Sequence, residues 1–261
     1  MIKRSIPLQK RIKLYKMLKG GENTKELGII GGLGPLATAY FMEMVVKMTD
    51  ARFDCEHIPM IIYNKPSIPD RTNFILGKSN DNPYVDISEV GKTLVEQGVD
   101  YIAIPCVTAY YFYEELCKDI KVPIIDLIGE TAIHLKENGI SKVGIMATDG
   151  TITGGFLKQG LEKQGIEAIQ PSENGQKLLM DIIYNGIKAD MPFSMEDFFT
   201  VKNELVDLGA QIILLGCTEL SVIKRDYSIG SGFLDVMEVL ARKSVLLCEG
   251  ALKEEFLSLI S

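Results

Sequence analysis

Two cysteines occupy matching positions in two similar stretches of the sequence. GVDYIAIPCVT (98–108) aligns with GAQIILLGCT (209–218), and in both stretches the cysteine comes eight residues after the first glycine. Cys106 and Cys217 each follow an apolar run that predicts a strand, and each stands immediately before a predicted helix. Ligands of open α/β sheets bind beyond the carboxyl ends of the strands. Because a helix N-terminus favours an anion, we expect a lowered pKa for both thiols.

Two thiols that face each other across a site would be able to invert the configuration of a carbon atom. One thiolate removes a proton from one face of the carbon, and the other thiol delivers a proton to the opposite face. A single cysteine at a strand end more often packs as a small apolar side chain. Two cysteines at equivalent positions of a repeat, each followed closely by a threonine, favour the acid/base interpretation. Cys55, Cys117 and Cys248 have no such counterparts, and we expect no catalytic role for them.

From Leu27 onward, short apolar runs alternate with longer helical patterns. This alternation is typical of parallel strands that are covered by helices on both faces. The strands are predicted at 27–31, 58–63, 100–105, 123–126, 142–147, 166–170 and 211–216. The helices are predicted at about 36–50, 84–97, 109–118, 127–138, 153–164, 173–187, 195–208 and 233–256. The predicted fold class is therefore α/β with mainly parallel sheets.

A second pair of matching segments divides the chain into two similar halves. ELGIIGGLG (26–34) aligns with KVGIMATDG (142–150), so each half begins with a strand and a glycine-containing loop. We expect two similar α/β lobes related by a pseudo-two-fold axis, with the active site in the cleft between them. Residues 27–127 and the C-terminal helix at about 230–261 are assigned to the first lobe, and residues 128–229 to the second.

Charge and composition exclude several classes of function. The 261-residue chain has a net charge of −7, but residues 1–26 form a basic extension of +6, which leaves −13 on the remainder. An acidic body disfavours nucleic-acid binding. No apolar run reaches the roughly 18 residues that a membrane span needs. Five cysteines without an export signal favour a reducing cytoplasm. The extension is interpreted either as a solvated segment or as a short amphipathic helix that docks on a partner or a membrane surface.

The glycine-rich stretch GGLGPLATAY (31–40) is weak evidence for a nucleotide. Gly32, Gly34 and Ala37 fit the dinucleotide-binding spacing, but Pro35 follows the second glycine and the next strand ends in IIYNKP, without a ribose-binding acid. The N–H groups of this loop would suit a carboxylate equally well. With two histidines in the chain and no G-x-S-x-G motif, neither a metal site nor a serine hydrolase is predicted.

Several motifs, in the right order, resemble the cofactor-independent aspartate/glutamate racemases, and aspartate racemases most closely. They are GIIGGLGPLAT, EHIPMIIYNKPSIPDRT, IPCVTAYYFYEEL, GIMATDGTITGG and LGCTEL, and the resemblance runs from about Leu27 to the C-terminus. It implies two similar α/β domains with the active site in the cleft, a homodimer, and no pyridoxal phosphate or metal. It also implies that Cys106 and Cys217 are the two acid/base groups.

The resemblance extends to residues that would hold the substrate. Arg71 in IPDRT and Lys188 in IIYNGIKAD stand where aspartate racemases bind the side-chain carboxylate, and an arginine can grip a carboxylate through two parallel bonds. By themselves both could equally be solvated surface charges. The donors expected around the α-amino-acid end are Leu33, Gly34, Thr108, Thr148, Thr151 and Thr218. A threonine after a strand has the alternative role of capping a helix.

The chain departs from the family pattern beside its first cysteine. The family has PCNTAH there, whereas this chain has Val107 and Tyr110 in place of the asparagine and the histidine. The predicted function is racemisation of aspartate, with glutamate as a second candidate substrate. The two substitutions leave two alternatives: an isomerase or decarboxylase of another small carboxylate, or a non-catalytic protein that binds a small molecule.

Overall fold

The first sheet lies in the N-terminal half of the chain. A computed structural model describes residues 24–260. Strands β1 (Leu27–Gly31), β2 (Met60–Asn64) and β3 (Tyr101–Ala103) are parallel and lie in the order β2-β1-β3. Beside β3, Ile124 adds one parallel bridge to Ile102.

The second sheet repeats this arrangement and adds a full strand. Strands β4 (Lys142–Met146), β5 (Glu167–Ile169), β6 (Ile212–Leu215) and β7 (Phe233–Asp235) are parallel and lie in the order β5-β4-β6-β7. In both sheets the first strand of the half is central and the strand that ends before a cysteine pairs with it. The α/β class with two parallel sheets is confirmed.

Helices connect the strands, as parallel pairing requires. In chain order they are α1 (Pro35–Met48), α2 (Arg71–Ile75), α3 (Pro83–Glu96), α4 (Tyr113–Asp119), α5 (Leu127–Glu137), α6 (Asp149–Gly154), α7 (Phe156–Lys163), α8 (Glu173–Met180), α9 (Met195–Asp207), α10 (Thr218–Asp226) and α11 (Val236–Leu247). Short 3₁₀ helices span Asp54–Glu56, Val107–Phe112 and Glu254–Phe256, and a π-helix spans Asp181–Ile187.

The second sheet is buried on both faces. Alternate residues of β6 enter different cores: Ile212 and Leu214 belong to a large apolar cluster that includes residues of both sheets, whereas Ile213 and Leu215 belong to a smaller cluster under α8 and α9. Because side chains of a strand alternate between faces, the apolar run of β6 is the sequence signature of this two-sided burial.

Local chemistry explains where the predicted elements were wrong. Pro123 lacks an N–H group, so the strand predicted at 123–126 is reduced to the single bridge at Ile124. The helix predicted from residue 233 begins at Val236, because residues 233–235 form β7 and Asp235 caps the helix. Gly155, at φ 68°, divides the helix predicted at 153–164.

The structure leaves part of the predicted organisation untested. Helix α11 packs against α1 and α5, while β7 immediately before it belongs to the second sheet. The assignment of residues to two lobes stays a prediction. The basic extension lies outside the described residues except for its last three positions. Within residues 24–260, no helix is both long enough and apolar enough to cross a membrane.

A fully buried carboxyl group joins β7 to the helix that follows the second cysteine. Asp235 Oδ1 accepts hydrogen bonds from Ser221 Oγ at 2.7 Å and from the Met237 N–H at 2.8 Å, and Oδ2 is buried without a partner. Burial, and then the nearby Glu238 carboxylate, raise the pKa of Asp235 to about 7. An unfolded aspartate ionises near pH 3.9. The folded protein therefore retains a proton at this site up to a higher pH than the unfolded chain does.

This site predicts a pH dependence of stability. Between about pH 4 and pH 7 the folded state binds more protons than the unfolded state at Asp235, so the free energy of unfolding falls as the pH rises. Asp235→Asn keeps an acceptor for Ser221 and Met237 but cannot ionise. We expect this variant to lose less stability than wild type between about pH 5 and about pH 8, measured by urea unfolding. Asp126→Asn, the same change at the exposed N-cap of α5, is the control. Equal losses in wild type and Asp235→Asn would contradict the prediction.

Candidate functional site

Both cysteines border one small pocket, which we call the inner pocket. Cys106 follows β3 and precedes the 3₁₀ helix at 107–112, and Cys217 follows β6 and precedes α10. Each side chain is buried, with 5% exposure. The inner pocket is lined by the two cysteines together with residues from both halves of the chain. Parallel strand ends therefore bring the two thiols to the same site, although 110 residues lie between them in the sequence.

The structure brings most of the predicted site residues to this pocket. Besides the two cysteines, its lining includes six of the predicted residues: Leu33, Arg71, Thr108, Thr148, Lys188 and Thr218. Gly34 lies at an adjoining cavity instead. Thr151 is not among the lining residues, but its hydroxyl contacts the hydroxyls of Thr108 and Thr148 at 3.2 Å and 3.3 Å.

A cluster of buried threonine hydroxyls joins the two halves of the chain beside Cys106. Thr148 contacts Thr72 at 3.3 Å and Thr108 at 3.2 Å, while its oxygen also caps α6. The capping role that the sequence left open is therefore present at Thr148. The approach is close because residue 150 is a glycine: a Cβ there would lie 2.8 Å from the Thr72 Cα. Hydroxyl groups can reorient to donate to a bound oxygen, so this cluster is suited to a carboxylate.

Arg71 enters the inner pocket with part of its guanidinium group already engaged. Nη1 donates to the carbonyls of Ile68 and Pro69, and Nη2 donates to the carbonyl of Leu33 at 2.9 Å. Nε is buried and has no partner. Burial would lower the pKa of Arg71, but the neighbouring Cys106 and Asp70 outweigh it and raise the pKa above its usual value. The carbonyls hold the cation rigidly beside Cys106 and leave a donor for a ligand.

Lys188 and Glu219 form an ion pair beside the second cysteine, in which the carboxylate is buried and the lysine side chain is partly exposed. Lys188 Nζ lies 2.9 Å from Glu219 Oε1, and the Cys217 thiol donates to Glu219 Oε2 at 2.9 Å. Burial favours the neutral form of both residues. Burial is the largest single effect on both, but the partner's opposite charge, the hydrogen bond between them and the neighbouring Cys217 together outweigh it, so the pKa of Lys188 is raised and the pKa of Glu219 is lowered. Both groups are therefore ionised in the folded protein.

The expectation of a lowered thiol pKa at Cys217 is wrong. Burial, and then the Glu219 carboxylate, raise the pKa of Cys217 well above its ordinary value, and the opposing effect of Lys188 is smaller. A helix N-terminus contributes only a fraction of a charge. A full negative charge 2.9 Å from the sulfur is the stronger influence. Cys217 is therefore a protonated thiol at neutral pH.

The sequence interpretation missed four residues that line the inner pocket: Asp70, Thr72, Tyr184 and Glu219. Glu219 carried a usable signal, since it stands two residues after the second cysteine in LGCTEL. Asp70 and Thr72 flank Arg71 in the motif that was quoted for Arg71 alone. Tyr184 had no such signal, because it reaches the pocket from the π-helix at 181–187.

The inner pocket is nearly filled by its own side chains and opens towards a larger space. Its cavity is about 10 Å³, close to the minimum that holds one water molecule. An outer cavity of about 350 Å³ shares Asp70, Arg71, Lys188 and Glu219 with it and is otherwise lined largely by Gly, Pro, Leu, Ile and Val. A ligand larger than one water molecule therefore fits the inner pocket only when the side chains that line it move apart.

The glycine-rich loop has a packing explanation. Gly32 has φ 92°, and a Cβ there would lie 2.4 Å from the carbonyl carbon of Lys65. Only glycine fits a positive φ at such a close backbone approach. The loop thereby holds Leu33 against the inner pocket, where its carbonyl accepts from Arg71.

The two residues that depart from the family pattern have different surroundings. Val107 lines the inner pocket and is buried, so an apolar side chain faces the site where the family has an amide. The Tyr110 hydroxyl donates to the carbonyl of Ile125 at 2.9 Å, and the residue is not among those lining the pocket. Tyr110 therefore connects the 3₁₀ helix to the segment before α5.

In residues 24–260, no three His, Cys, Asp or Glu side chains are grouped to hold a metal ion.

Comparison with known proteins identifies the family and the fold of the chain. A model of the Asp/Glu/Hydantoin racemase family matches residues 30–243. The broad specificity amino-acid racemase RacX of Bacillus subtilis is 26% identical over 230 residues, which cover 84% of this chain and 96% of RacX. The structure of Picrophilus torridus aspartate racemase is similar with a TM-score of 0.78 and 31% identity, covering 89% of this chain and 97% of that one. Glutamate racemase from Francisella tularensis, solved in complex with D-glutamate, has the same fold at 20% identity, with a TM-score of 0.58 and coverage of 91% and 85%.

The family match covers most of the chain, and the two parallel sheets agree with the fold of these solved racemases. The chain belongs to the Asp/Glu/Hydantoin racemase family. The resemblance stated from the sequence is confirmed at the level of family and fold.

The Glu219 carboxylate predicts how the reactivity of Cys217 depends on pH. Glu219→Gln removes the negative charge and leaves Lys188 nearby, so the pKa of Cys217 should fall and its alkylation by iodoacetamide should begin at lower pH. Each pK unit increases the thiolate fraction roughly tenfold at a given pH. Peptide-resolved mass spectrometry measures the pH midpoint for each cysteine.

Glu238→Gln is the matched control, because it breaks another Lys–Glu pair, with Lys224 at 2.8 Å, without removing a charge from the inner pocket. This control should leave the midpoint of Cys217 unchanged. The exposed Cys55 is an internal standard for reagent activity. A midpoint of Cys217 that does not fall in Glu219→Gln would show that burial alone controls this thiol.

Proposed function

We propose that this protein racemises aspartate, and glutamate as a second substrate, by proton transfer between Cys106 and Cys217. The observation that carries the proposal is that two repeat-equivalent thiols border one small pocket. The two cysteines have opposite electrostatic neighbours, since Cys106 lies beside the Arg71 cation and Cys217 donates to the Glu219 carboxylate. This asymmetry distinguishes the two thiols, because a carboxylate keeps Cys217 protonated whereas a cation lies beside Cys106.

The proton transfer conserves both protons and electrons. The Cys106 thiolate takes the Cα proton, and the pair of electrons of the broken C–H bond stays on a planar carbanion. The Cys217 thiol then gives its proton to the opposite face of that carbon and becomes a thiolate. The two thiols have exchanged protonation states and the amino acid has been inverted. The Glu219 carboxylate disfavours a thiolate at Cys217 and thereby favours its reprotonation.

The barrier to this reaction is high because the α-proton of an amino acid is far less acidic than a thiol of pKa near 8.5. Stabilising the carbanion requires fixed donors and cations in a site without bulk water. The threonine hydroxyl cluster and the N–H groups after Cys217 are candidate donors to the α-carboxylate. The small volume of the inner pocket supports a site that excludes water once the substrate is bound.

Arg71 and Lys188 are proposed to hold the side-chain carboxylate. Arg71 keeps a free Nε donor, and Lys188 is ionised and borders both cavities. Aspartate racemase from Picrophilus torridus and the broad specificity RacX are relatives with activities of this kind. Independence from pyridoxal phosphate and a homodimer belong to the same proposal and rest on the sequence resemblance. The proposed cytoplasmic location rests on the five cysteines and the absence of a recognisable export signal.

Incubation with L-aspartate in deuterated water tests the reaction directly. We expect loss of the α-proton signal by NMR together with formation of D-aspartate on a chiral column. Cys106→Ser and Cys217→Ser should each abolish inversion, because a serine hydroxyl is far too weak an acid and base at these positions. Cys248→Ser, at a buried cysteine outside the pocket, is the control and should retain activity. Full activity in both active-site variants would remove the role assigned to the thiols.

Val107 motivates the alternative functions, since an apolar side chain occupies the inner pocket where the family has an amide. Release of carbon dioxide from a dicarboxylate would identify a decarboxylase. Ligand binding without deuterium exchange for any acidic amino acid would identify a non-catalytic binding protein.

Val107→Asn tests whether an amide donor at position 107 increases the racemisation of aspartate. An amide can donate to the substrate where valine cannot, so we expect racemisation of aspartate to increase, by roughly tenfold if one hydrogen bond to a charged group is gained. Val107→Leu controls for side-chain size without adding a donor. A decrease in Val107→Asn that matches the decrease in Val107→Leu would show that the apolar surface itself is required.

A further inference from the structure

Tyr184 contacts Lys188 directly and is linked to Arg71 through the neighbouring Asp70. Lys188 and Arg71 are the two cations of the proposed side-chain site. Tyr184 lies on the π-helix at 181–187, which ends immediately before Lys188. The Lys188 ammonium nitrogen lies over the Tyr184 ring, 5.1 Å from its centroid. A cation over an aromatic face is attracted to it, more strongly where water is excluded. The ring therefore fixes one side of the Lys188 ammonium group, while Glu219 contacts it at 2.9 Å.

The hydroxyl group of the same tyrosine reaches the other half of the chain. It donates to the Asp70 carboxylate, with distances of 3.1 Å to Oδ2 and 3.3 Å to Oδ1. Asp70 caps α2 by accepting from the Asn73 N–H at 2.8 Å, and the first residue of α2 is Arg71. A displacement of Asp70 would therefore displace the start of the helix that carries Arg71.

We propose that Tyr184 is a positioning residue that sets the spacing of Arg71 and Lys188 and thereby selects substrates with a side-chain carboxylate. The inference rests on the proposed function, in which these two cations bind that carboxylate. The Tyr184 ring orients Lys188. The Tyr184 hydroxyl orients α2, which begins at Arg71, through its hydrogen bond to Asp70. A single side chain therefore positions both cations. Tyr184 also lines the inner pocket, so substrate and tyrosine are neighbours.

Tyr184 and Lys188 lie on a helical segment with a widened turn. The Lys188 N–H donates to the carbonyl of Ile183, five residues earlier, at 3.0 Å. Such turns insert one extra residue into a helix and occur frequently at functional sites. Tyr184 and Lys188 are four residues apart, a spacing that brings side chains together on one face of a helix.

Tyr184→Phe is the decisive variant, because it removes the hydroxyl and keeps the ring. For L-aspartate we expect the KM to rise roughly tenfold and the kcat to change by less than about twofold, as for loss of one hydrogen bond to a charged group that acts on binding. Tyr184→Leu, which also removes the ring, should raise the KM further. Turnover of L-alanine, which has no side-chain carboxylate, should be affected far less in both variants.

Tyr84→Phe is the matched control, because it removes a Tyr–Asp hydrogen bond of 2.8 Å to Asp119, and neither residue lines the inner pocket. It should leave the KM unchanged even where it lowers the melting temperature as much as Tyr184→Phe does. Equal increases in KM for aspartate and alanine in Tyr184→Phe would indicate a general structural role and overturn the inference. A large decrease in kcat would indicate direct participation in proton transfer and would overturn it as well.

Calorimetric binding of L-aspartate to the Cys106→Ser protein, with and without Tyr184→Phe, separates this inference from the proposed function. Roughly tenfold weaker binding with Tyr184→Phe supports the inference even if the wild-type protein shows no turnover. Equal binding by the two proteins refutes the inference and leaves the racemase proposal intact. Absence of L-aspartate binding to wild type would overturn both.

Discussion

The ion pair between Lys188 and Glu219 is the interaction on which the rest of the site depends. A carboxylate buried in a protein interior would be neutralised or would destabilise the fold without a partner, so the buried Glu219 charge persists because Lys188 pairs with it. This pair keeps a carboxylate within hydrogen-bond distance of Cys217 and a cation at the boundary of the two cavities. Its position therefore determines both the protonation of one thiol and the charge that a substrate meets on entry.

The internal repeat places two chemically similar groups at one pocket, but the residues that follow them in the chain differ. In the first copy Val107 follows the cysteine and the chain continues as a 3₁₀ helix; in the second copy Thr218 and Glu219 follow and the chain continues as an α-helix. A carboxylate close to one thiol and a guanidinium group close to the other give the two thiols opposite electrostatic surroundings. The repeated strand–cysteine unit thus gives the two thiols equivalent positions, and the residues around each thiol give them neighbours of opposite charge.

Contacts between the halves are polar around the inner pocket and apolar beneath it. The threonine cluster and the Tyr184–Asp70 hydrogen bond join the halves at the site, whereas the large apolar cluster is continuous beneath both sheets. Hydrogen bonds of hydroxyl groups can be exchanged for bonds to a ligand at little net change in free energy, because each is worth only about 1 kcal/mol. Separation of close-packed apolar side chains exposes them to water and is far less favourable. Opening for a substrate is therefore easiest at the polar contacts.

The sequence by itself determined the fold class, the family and the equivalent positions of the two cysteines that border the inner pocket. Apolar runs such as β6 alternate with helical patterns, and the glycine-to-cysteine spacing of the repeat is fixed by the length of a strand, so both are local properties of the chain. The same locality explains why β7 was missed, since three residues before a helix carry too little pattern to be recognised as a strand.

Only the tertiary structure decided the chemistry of the thiols and the shape of the site. The raised pKa of Cys217 arises from burial and from Glu219, which in turn is held ionised by Lys188 from a distant part of the sequence. The role proposed for Tyr184 depends on its hydrogen bond to Asp70, 114 residues away. Electrostatic effects depend on distance and burial in space, and neither quantity is encoded by residue types at neighbouring positions.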